Sequence, residues 1–346
     1  MVTGATGNIG TALLGWLDRR AEVDATVGVA RRLPPAGAGR PYERASWLAC
    51  DLAGPDAVDT LAGVFDGAAA VVHLGWEIIT GHRRDTQART NRIGSRNVVA
   101  ALVRAGVPQL VHLSSAAVYS PHRDRTPVTE VWPRRGVPAS AYSRDKVDVE
   151  DMLDAVEAVR PGLRVARVRP PAVLQPAAGS EVVAMMLGRF APLSRLAGGR
   201  VPLLPLPRQA AIQVVAAEDV ADLVGRAVLA EAAGPFNAAG EPVVAPDELA
   251  RLLGGRHVPV PGPALRAVLD ASWRLHLQPL DGSWLDLVLD TPLLDSSRAR
   301  TELGWRAAHD ARHTLVATRR AAGADAGTAS PRLRPLSRRG GGAGPR

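Results

Sequence analysis

Tyr142 and Lys146 stand four residues apart in Tyr-Ser-Arg-Asp-Lys, so on a helix both side chains lie on one face. A phenol with a pKa of about 10 carries protons poorly at neutral pH, and an ammonium beside it favours the phenolate and draws that pKa down. Composition singles out the same position. Of the 42 basic residues only one is a lysine, and that lysine is Lys146. A chain that writes nearly every cation as arginine is expected to keep a lysine where a planar guanidinium is too large and wrongly directed. A hydroxyl belongs beside the pair. The apolar run from Leu110 ends in Ser114-Ser115, and a hydroxyl at the carboxyl end of a strand can donate to a carbonyl oxygen and polarise it. Either serine alone also reads as an ordinary strand-end hydrogen-bonding residue.

A second constellation opens the chain. Thr3-Gly4-Ala5-Thr6-Gly7-Asn8-Ile9-Gly10 lies between a short apolar run and a helical pattern in which Leu13, Leu14 and Leu17 repeat. Backbone N–H groups and the positive end of a helix can hold a pyrophosphate there. Glycine at 4, 7 and 10 permits the tight turn, the close phosphate approach and the helix packing. The spacing is GxxGxxG rather than GxGxxG, and an ordinary strand-to-helix turn explains it on its own. About 20 residues on, where a dinucleotide's adenosine ribose is read, the chain has Ala30-Arg31-Arg32. Two guanidiniums and no carboxylate at that point favour the 2′-phosphate of NADP(H) over NAD(H). Asp51-Leu52, after the next apolar run, suits an adenine edge. With a dinucleotide in place, the Lys146 ammonium also has ribose hydroxyls to bind.

These residues need strands and helices to carry them. Short β-rich runs at 25–30, 46–50, 70–74, 110–114 and 164–168 alternate with helical patterns at 10–17 and 90–105, the signature of a parallel α/β sheet with crossover helices. The opening strand has only Met1 to Thr3 before the first glycine, which points to a late start or a truncated strand. After Arg169 seven prolines between 170 and 207 break the pattern, and it returns at 212–228. The expected organisation is a dinucleotide-binding domain at 1–169, with 210–240 rejoining its sheet, and a mainly substrate-binding lobe at 170–318.

The formal charge of +8 raises a nucleic-acid role, but its location argues against one. Residues 319–346 hold seven arginines and one acid, Asp325, so this stretch carries +6 and the body only about +2. With its glycines and few apolar residues, 319–346 reads as a basic disordered tail. Cys50 is the sole cysteine, which excludes an intrachain disulfide. No apolar run suits a membrane span and no signal-peptide layout is present, so the expected location is cytoplasmic, with no membrane partner and no metal.

Together these features resemble the extended short-chain dehydrogenase/reductase family, also called NAD-dependent epimerase/dehydratases. The likeness runs from TGxxGxxG through His73-Leu74-Gly75, Thr90-Asn91, Ser114-Ser115 to Tyr119, the Tyr142/Lys146 pair and Arg169-Pro170-Pro171. It continues through Glu218-Asp219-Val220-Ala221, Gly234-Pro235-Phe236-Asn237 and Asp295 to Trp305. The resemblance implies a Rossmann-type doubly wound parallel sheet with a smaller C-terminal substrate lobe. It selects Ser115 over Ser114 as catalytic, with Tyr142 as general acid/base and Lys146 as its partner. It places phosphate contacts on Gly4, Gly7, Asn8, Ile9 and Gly10, adenine contacts on Asp51 and Leu52, and the pocket wall on Leu74, Gly75 and Asn91, with Pro170 beside the cofactor. Homodimers are typical of such proteins.

Departures narrow the reaction. Sugar-nucleotide dehydratases place an Asp-Glu pair after the catalytic hydroxyl, whereas this chain has Ala116-Ala117, which argues against elimination. Ala172-Val173-Leu174 replaces a polar epimerase signature, and Trp76 suggests an apolar or ring-stacking surface. The expected function is therefore NAD(P)-dependent hydride transfer to or from a carbonyl or secondary alcohol of a small molecule. The alternatives are a nucleotide-sugar epimerase with tightly held cofactor and a non-catalytic NAD(P)-binding sensor or scaffold.

Overall fold

The computed structural model describes residues 1–78, 80–82, 87–191 and 198–338. Its strands are β1 Val2–Thr3, β2 Val27–Ala30, β3 Ser46–Ala49, β4 Val71–His73, β5 Gln109–Leu113, β6 Arg164–Arg169, β7 Ala172–Leu174, β8 Leu203–Leu206, β9 Val214–Ala216, β10 Gly234–Asn237 and β11 Arg256–Pro259. Seven of them form one sheet in the order β10-β6-β5-β4-β1-β2-β3, and each neighbouring pair is parallel. This is the doubly wound α/β architecture that the alternating apolar runs imply. β1 is two residues long, but Met1 prolongs its bonding to β4: the Met1 amino group donates to Ala70 O at 2.9 Å and Val72 N donates to Met1 O at 2.8 Å.

Strand order reverses between β1 and β4, and at such a switch point the flanking loops part to leave a crevice at the carboxyl ends of the strands. The helices that follow these strands are α1 Asn8–Leu17, α2 Ala57–Phe65, α3 Gly94–Arg104, α4 Ala141–Val159, α5 Gly179–Leu187 and α6 Ala217–Leu229. α1 and α6 cover one face of the sheet, sealing a core that includes Leu13, Trp16, Val220, Leu223 and Val224. α2, α3 and α4 cover the other over Leu61, Phe65, Val98, Leu102 and Leu153. Both faces being covered explains why the strands read as continuous apolar runs rather than alternating ones.

Two expectations are corrected. Of the stretch 210–240, only β10 rejoins the main sheet, beside β6; β9 pairs with β7 in a separate two-stranded sheet. The basic segment from 319 is not a disordered tail over its described part. A helix runs through Ala311–Gly323, and beyond it Asp325 accepts from Leu336 N at 2.6 Å and Ser337 N at 2.9 Å, while Leu333 is fully buried. One apolar anchor and one carboxylate clasp hold a segment whose average composition promised nothing. Residues 339–346 of that expectation lie outside the described residues. No helix among the described residues is long and apolar enough to cross a membrane.

One buried ion pair ties the helix α4 to the sheet. Glu150 has no exposure; it accepts from Arg169 Nε at 2.9 Å and from the Ser114 hydroxyl. Burial alone would raise the Glu150 pKa, yet the hydrogen bonds and charge of Arg169 hold it below the usual carboxylate value. Glu150→Gln leaves the Arg169 charge buried and unpaired, and is expected to cost about 3–5 kcal/mol of stability. Equilibrium urea unfolding of the two proteins measures that difference.

Candidate functional site

The glycine turn has the shape its sequence requires. Gly4 lies at φ +71°, and a Cβ there would stand 2.7 Å from Gly75 N. A Cβ on Gly10 would stand 2.4 Å from Gly4 O, which leaves only glycine where α1 meets the turn. Gly7 caps α1 in extended conformation with no side-chain cap, so the first N–H groups of the helix are left for a ligand. Gly4 and Gly7 line a cleft together with Arg31, Arg32, Asp51, Leu52, Leu74 and Gly75, all anticipated from the sequence. A cradle without side chains, an uncapped helix start and guanidiniums at the far end fit a dinucleotide.

The side chains of the other anticipated residues have partners within the protein. Asn8 donates to Val173 O at 3.0 Å and accepts from Gln175, bridging the turn to β7 and the residue after it, and Ile9 is buried in the core. Asn91 is fully buried; it accepts from Glu77 N at 2.8 Å and donates to Glu77 O at 2.9 Å, so it braces the loop of Glu77. Pro170 acts through its carbonyl, which accepts from Ala116 N at 2.8 Å and fixes the turn after Ser115.

Glu77 was missed by sequence reasoning. It lines the same cleft and pairs with Arg31 at 3.0 Å, which corrects the expectation that no carboxylate serves this end. Its position 46 residues beyond Arg31 gives no local signal. Thr6, Trp76 and, from the far end of the chain, Pro331 and Arg332 line the cleft as well.

Ser115 follows β5. Its Oγ accepts from Ala117 N at 3.1 Å and caps the turn Ala116–Val118, whereas Ser114 is consumed by Glu150. Ser140 caps α4 by accepting from Ser143 N at 3.3 Å, and Ser143 donates to Ala117 O at 2.6 Å. These bonds stitch the first turn of α4 to the exit of β5, which sets the Tyr142 phenol near enough to Ser115 for the serine hydroxyl to bear on its pKa. Tyr142 lines a second hollow with Gln87, Trp273, Asp281, Ser283 and Trp284. Trp76 joins the two spaces, for its ring meets Tyr142 edge-on at 6.1 Å.

Lys146, one helical turn beyond Tyr142, is buried. Its Nζ donates to Leu113 O at 2.8 Å and sits 3.5 Å from the centre of the Trp76 ring, a cation–π contact. Burial pulls the ammonium down to about 7, against the upward pull of Glu150 and Asp145. The phenol differs from expectation. Burial raises the Tyr142 pKa, and the opposing influence is the Ser115 hydrogen bond rather than the Lys146 charge. Next to Lys146, His73 is held down at about 3 by burial and by the ammonium.

Four similarities to known proteins bear on this geometry. A family model described as the NAD dependent epimerase/dehydratase family matches residues 1–239. An uncharacterized protein of Mycobacterium tuberculosis is 26% identical over 312 residues, 88% of this chain and 79% of that protein. A shorter stretch of 103 residues, 30% of this chain and 29% of its counterpart, is 34% identical to the decarboxylating sterol-4-alpha-carboxylate 3-dehydrogenase of Saccharomyces cerevisiae. In fold, the chain is similar to a UDP-glucose-4-epimerase of Stenotrophomonas maltophila solved with bound NAD and formylated UDP-arabinopyranose. The TM-score is 0.69 at 21% identity, covering 93% of this chain and 97% of the other.

The buried amine makes stability depend on pH in a stated direction. Folded Lys146 titrates near 7 and the unfolded side chain at 10.5, so between those values the unfolded chain binds a proton that the folded chain lacks. Stability therefore rises with pH across that window. In Lys146→Met this contribution is absent, and the unfolding free energy of wild type minus that of the variant, measured without nucleotide, falls as pH goes from 10 towards 7.

Proposed function

The chain belongs to the NAD dependent epimerase/dehydratase family, and from that membership we propose that it is an oxidoreductase that interconverts a carbonyl and a secondary alcohol on a small molecule with NADP(H). The observation that carries this reading is the placing of Ser115, at the end of β5, close enough to Tyr142 for its hydroxyl to draw the phenol's pKa down, beside a cleft lined by Gly4, Gly7, Arg31 and Arg32. When bound, the nicotinamide supplies or accepts the hydride. The chain's own residues do the rest.

The turn from Gly4 to Gly10 and the start of α1 hold the diphosphate, and Asp51 and Leu52 flank the adenine. Arg31 and Arg32 take the 2′-phosphate, Arg31 leaving Glu77 to do so; two guanidiniums against one carboxylate at this end of the cleft are what favour NADP(H). Ser115 donates to the substrate oxygen and polarises it. Tyr142, its pKa raised by burial, is protonated at neutral pH and gives its proton to that oxygen, which suits the direction of carbonyl reduction. Lys146 holds ribose hydroxyls and resupplies the site with positive charge as the phenolate forms.

The surroundings of Tyr142 indicate the substrate class. Trp76 and Trp284 both lie within ring-contact distance of the phenol, at 6.1 and 6.3 Å, and Trp273 lines the same hollow. Flat aromatic walls suit a ketone or alcohol on an apolar ring better than a hydroxyl-rich sugar. Ala116 and Ala117 offer no acid or base for elimination.

Tyr142→Phe is expected to lower turnover about 10²–10⁴-fold, the usual share of a positioned general acid, with affinity for the nucleotide kept. Consumption of added NADPH over a panel of cyclic ketones measures it, and retained turnover rejects Tyr142 as the proton donor. Cofactor that co-purifies and never exchanges with added NADPH, together with inverted sugar product, would instead establish the epimerase reading. Arg32→Ala should reduce the preference for NADPH over NADH, read as the ratio of the two kcat/KM values; an unchanged ratio removes the 2′-phosphate assignment.

A further inference from the structure

The segment 325–338 is built onto the dinucleotide cleft from outside the part of the chain that makes the nucleotide fold. Ser330 is fully buried and its hydroxyl donates to Thr6 O, at 2.5 Å, in the middle of the glycine turn. Tyr42 donates to Thr328 Oγ1 at 3.0 Å and lies 3.3 Å from Thr11 Oγ1, which links the segment to α1 through a line of hydroxyls. Leu333 N donates to Ser330 O at 3.1 Å and Thr328 N to Leu333 O at 3.0 Å, so the backbone closes on itself as a compact loop. At its base Asp325 gathers Leu336 N, Ser337 N and the Ser180 hydroxyl, the last at 3.1 Å from α5.

This loop puts Pro331 and Arg332 into the wall of the cleft. The glycine turn itself contributes Gly4, Thr6 and Gly7, none of them charged, and Arg31 and Arg32 stand at the end of β2. The cleft cation tethered to the turn is Arg332, whose backbone N–H donates to the Ser330 hydroxyl that grips Thr6. Its guanidinium is paired with Glu181 in the first turn of α5. Both side chains keep some solvent contact, 34% for Arg332 and 21% for Glu181, so neither is locked by burial.

We propose that the 325–338 loop is a wall of the cofactor site and that Arg332 is a nucleotide-binding residue, exchanging Glu181 for the diphosphate of the bound dinucleotide. This rests on the dinucleotide reading above and adds to it a contact from the opposite end of the chain. A diphosphate offers two charges where Glu181 offers one, and its oxygens accept a guanidinium fork in the same way as a carboxylate. The loop thereby connects α5, in the second lobe, to occupancy of the nucleotide turn.

The test is titration of the full chain with NADPH and with NADH, followed by nucleotide fluorescence, for wild type, Arg332→Ala, Arg332→Lys and Glu181→Gln. Arg332→Ala should weaken both nucleotides alike by about tenfold or more, as the loss of a charge-assisted contact requires. Arg332→Lys should recover part of that loss. Glu181→Gln should tighten both, because the competitor for the guanidinium is gone. Equal binding by wild type and Arg332→Ala overturns the proposal while leaving the dinucleotide reading intact. A loss confined to NADPH assigns Arg332 to the 2′-phosphate and overturns the diphosphate contact. Weakening by Glu181→Gln makes the pair a structural tether and overturns the exchange. Wild type that binds neither nucleotide overturns the dinucleotide reading and this inference together.

Discussion

A carboxylate that has lost all contact with water must be answered by the protein, and the answer to Glu150 organises this molecule. Arg169, at the end of β6, and Ser114, at the end of β5, both bond to it, and Arg134 lies 3.3 Å away. Because Glu150 sits on α4, these bonds fix one helix against the ends of two adjacent strands. One turn back along the same face is Lys146, and one more is Tyr142. Tyr142 and Lys146 thus inherit their position from a buried ion pair two turns further along the helix. The network goes further: Arg169 also donates to the Tyr119 hydroxyl at 2.9 Å, and Tyr119 donates to Asn237 at 2.7 Å, joining β10 to the same assembly. Burial pushes the Tyr119 phenol up to about 12, so this second tyrosine stays a neutral link.

Within that frame the two phenol-side neighbours have opposite work. Ser115 stabilises a negative oxygen through a hydrogen bond, while burial resists forming one. Lys146 experiences the mirror image, with burial resisting its positive charge and Glu150 and Asp145 favouring it. A guanidinium, which keeps its proton at any physiological pH, would have no such balance to tune. The contrast gives a physical reason for a lone primary amine in a chain otherwise furnished with arginine.

Much of this was legible in the residues. Continuous apolar runs located the sheet strands to within a residue or two, and the turn of glycines stands where the Thr3 lead-in put it. The Tyr142/Lys146 spacing placed both groups on α4. What escaped was made by distance along the chain. Glu77 meets Arg31 only because Asn91 braces its loop, and no spacing rule joins those three positions. Ser330 reaches the turn of Thr6 from more than 300 positions away and brings Arg332 to the cleft. The 319–346 segment misled because composition averages over it, whereas Leu333 and Asp325 act as single points of attachment. The electrostatic reading of the phenol went astray for a related cause: proximity in sequence predicted the lysine's influence, and burial outweighed it.

The burial of the lone lysine has an outcome beyond catalysis. Enzymes and reagents that recognise lysine side chains find a single address in this polypeptide, and in the folded state it is covered by an indole and hydrogen-bonded to a main-chain carbonyl. An endoprotease that cuts after lysine therefore has one scissile bond, embedded in a helix of 19 residues. Scission there requires that helix to come away from the sheet, so the protein carries a built-in clock for local opening of α4.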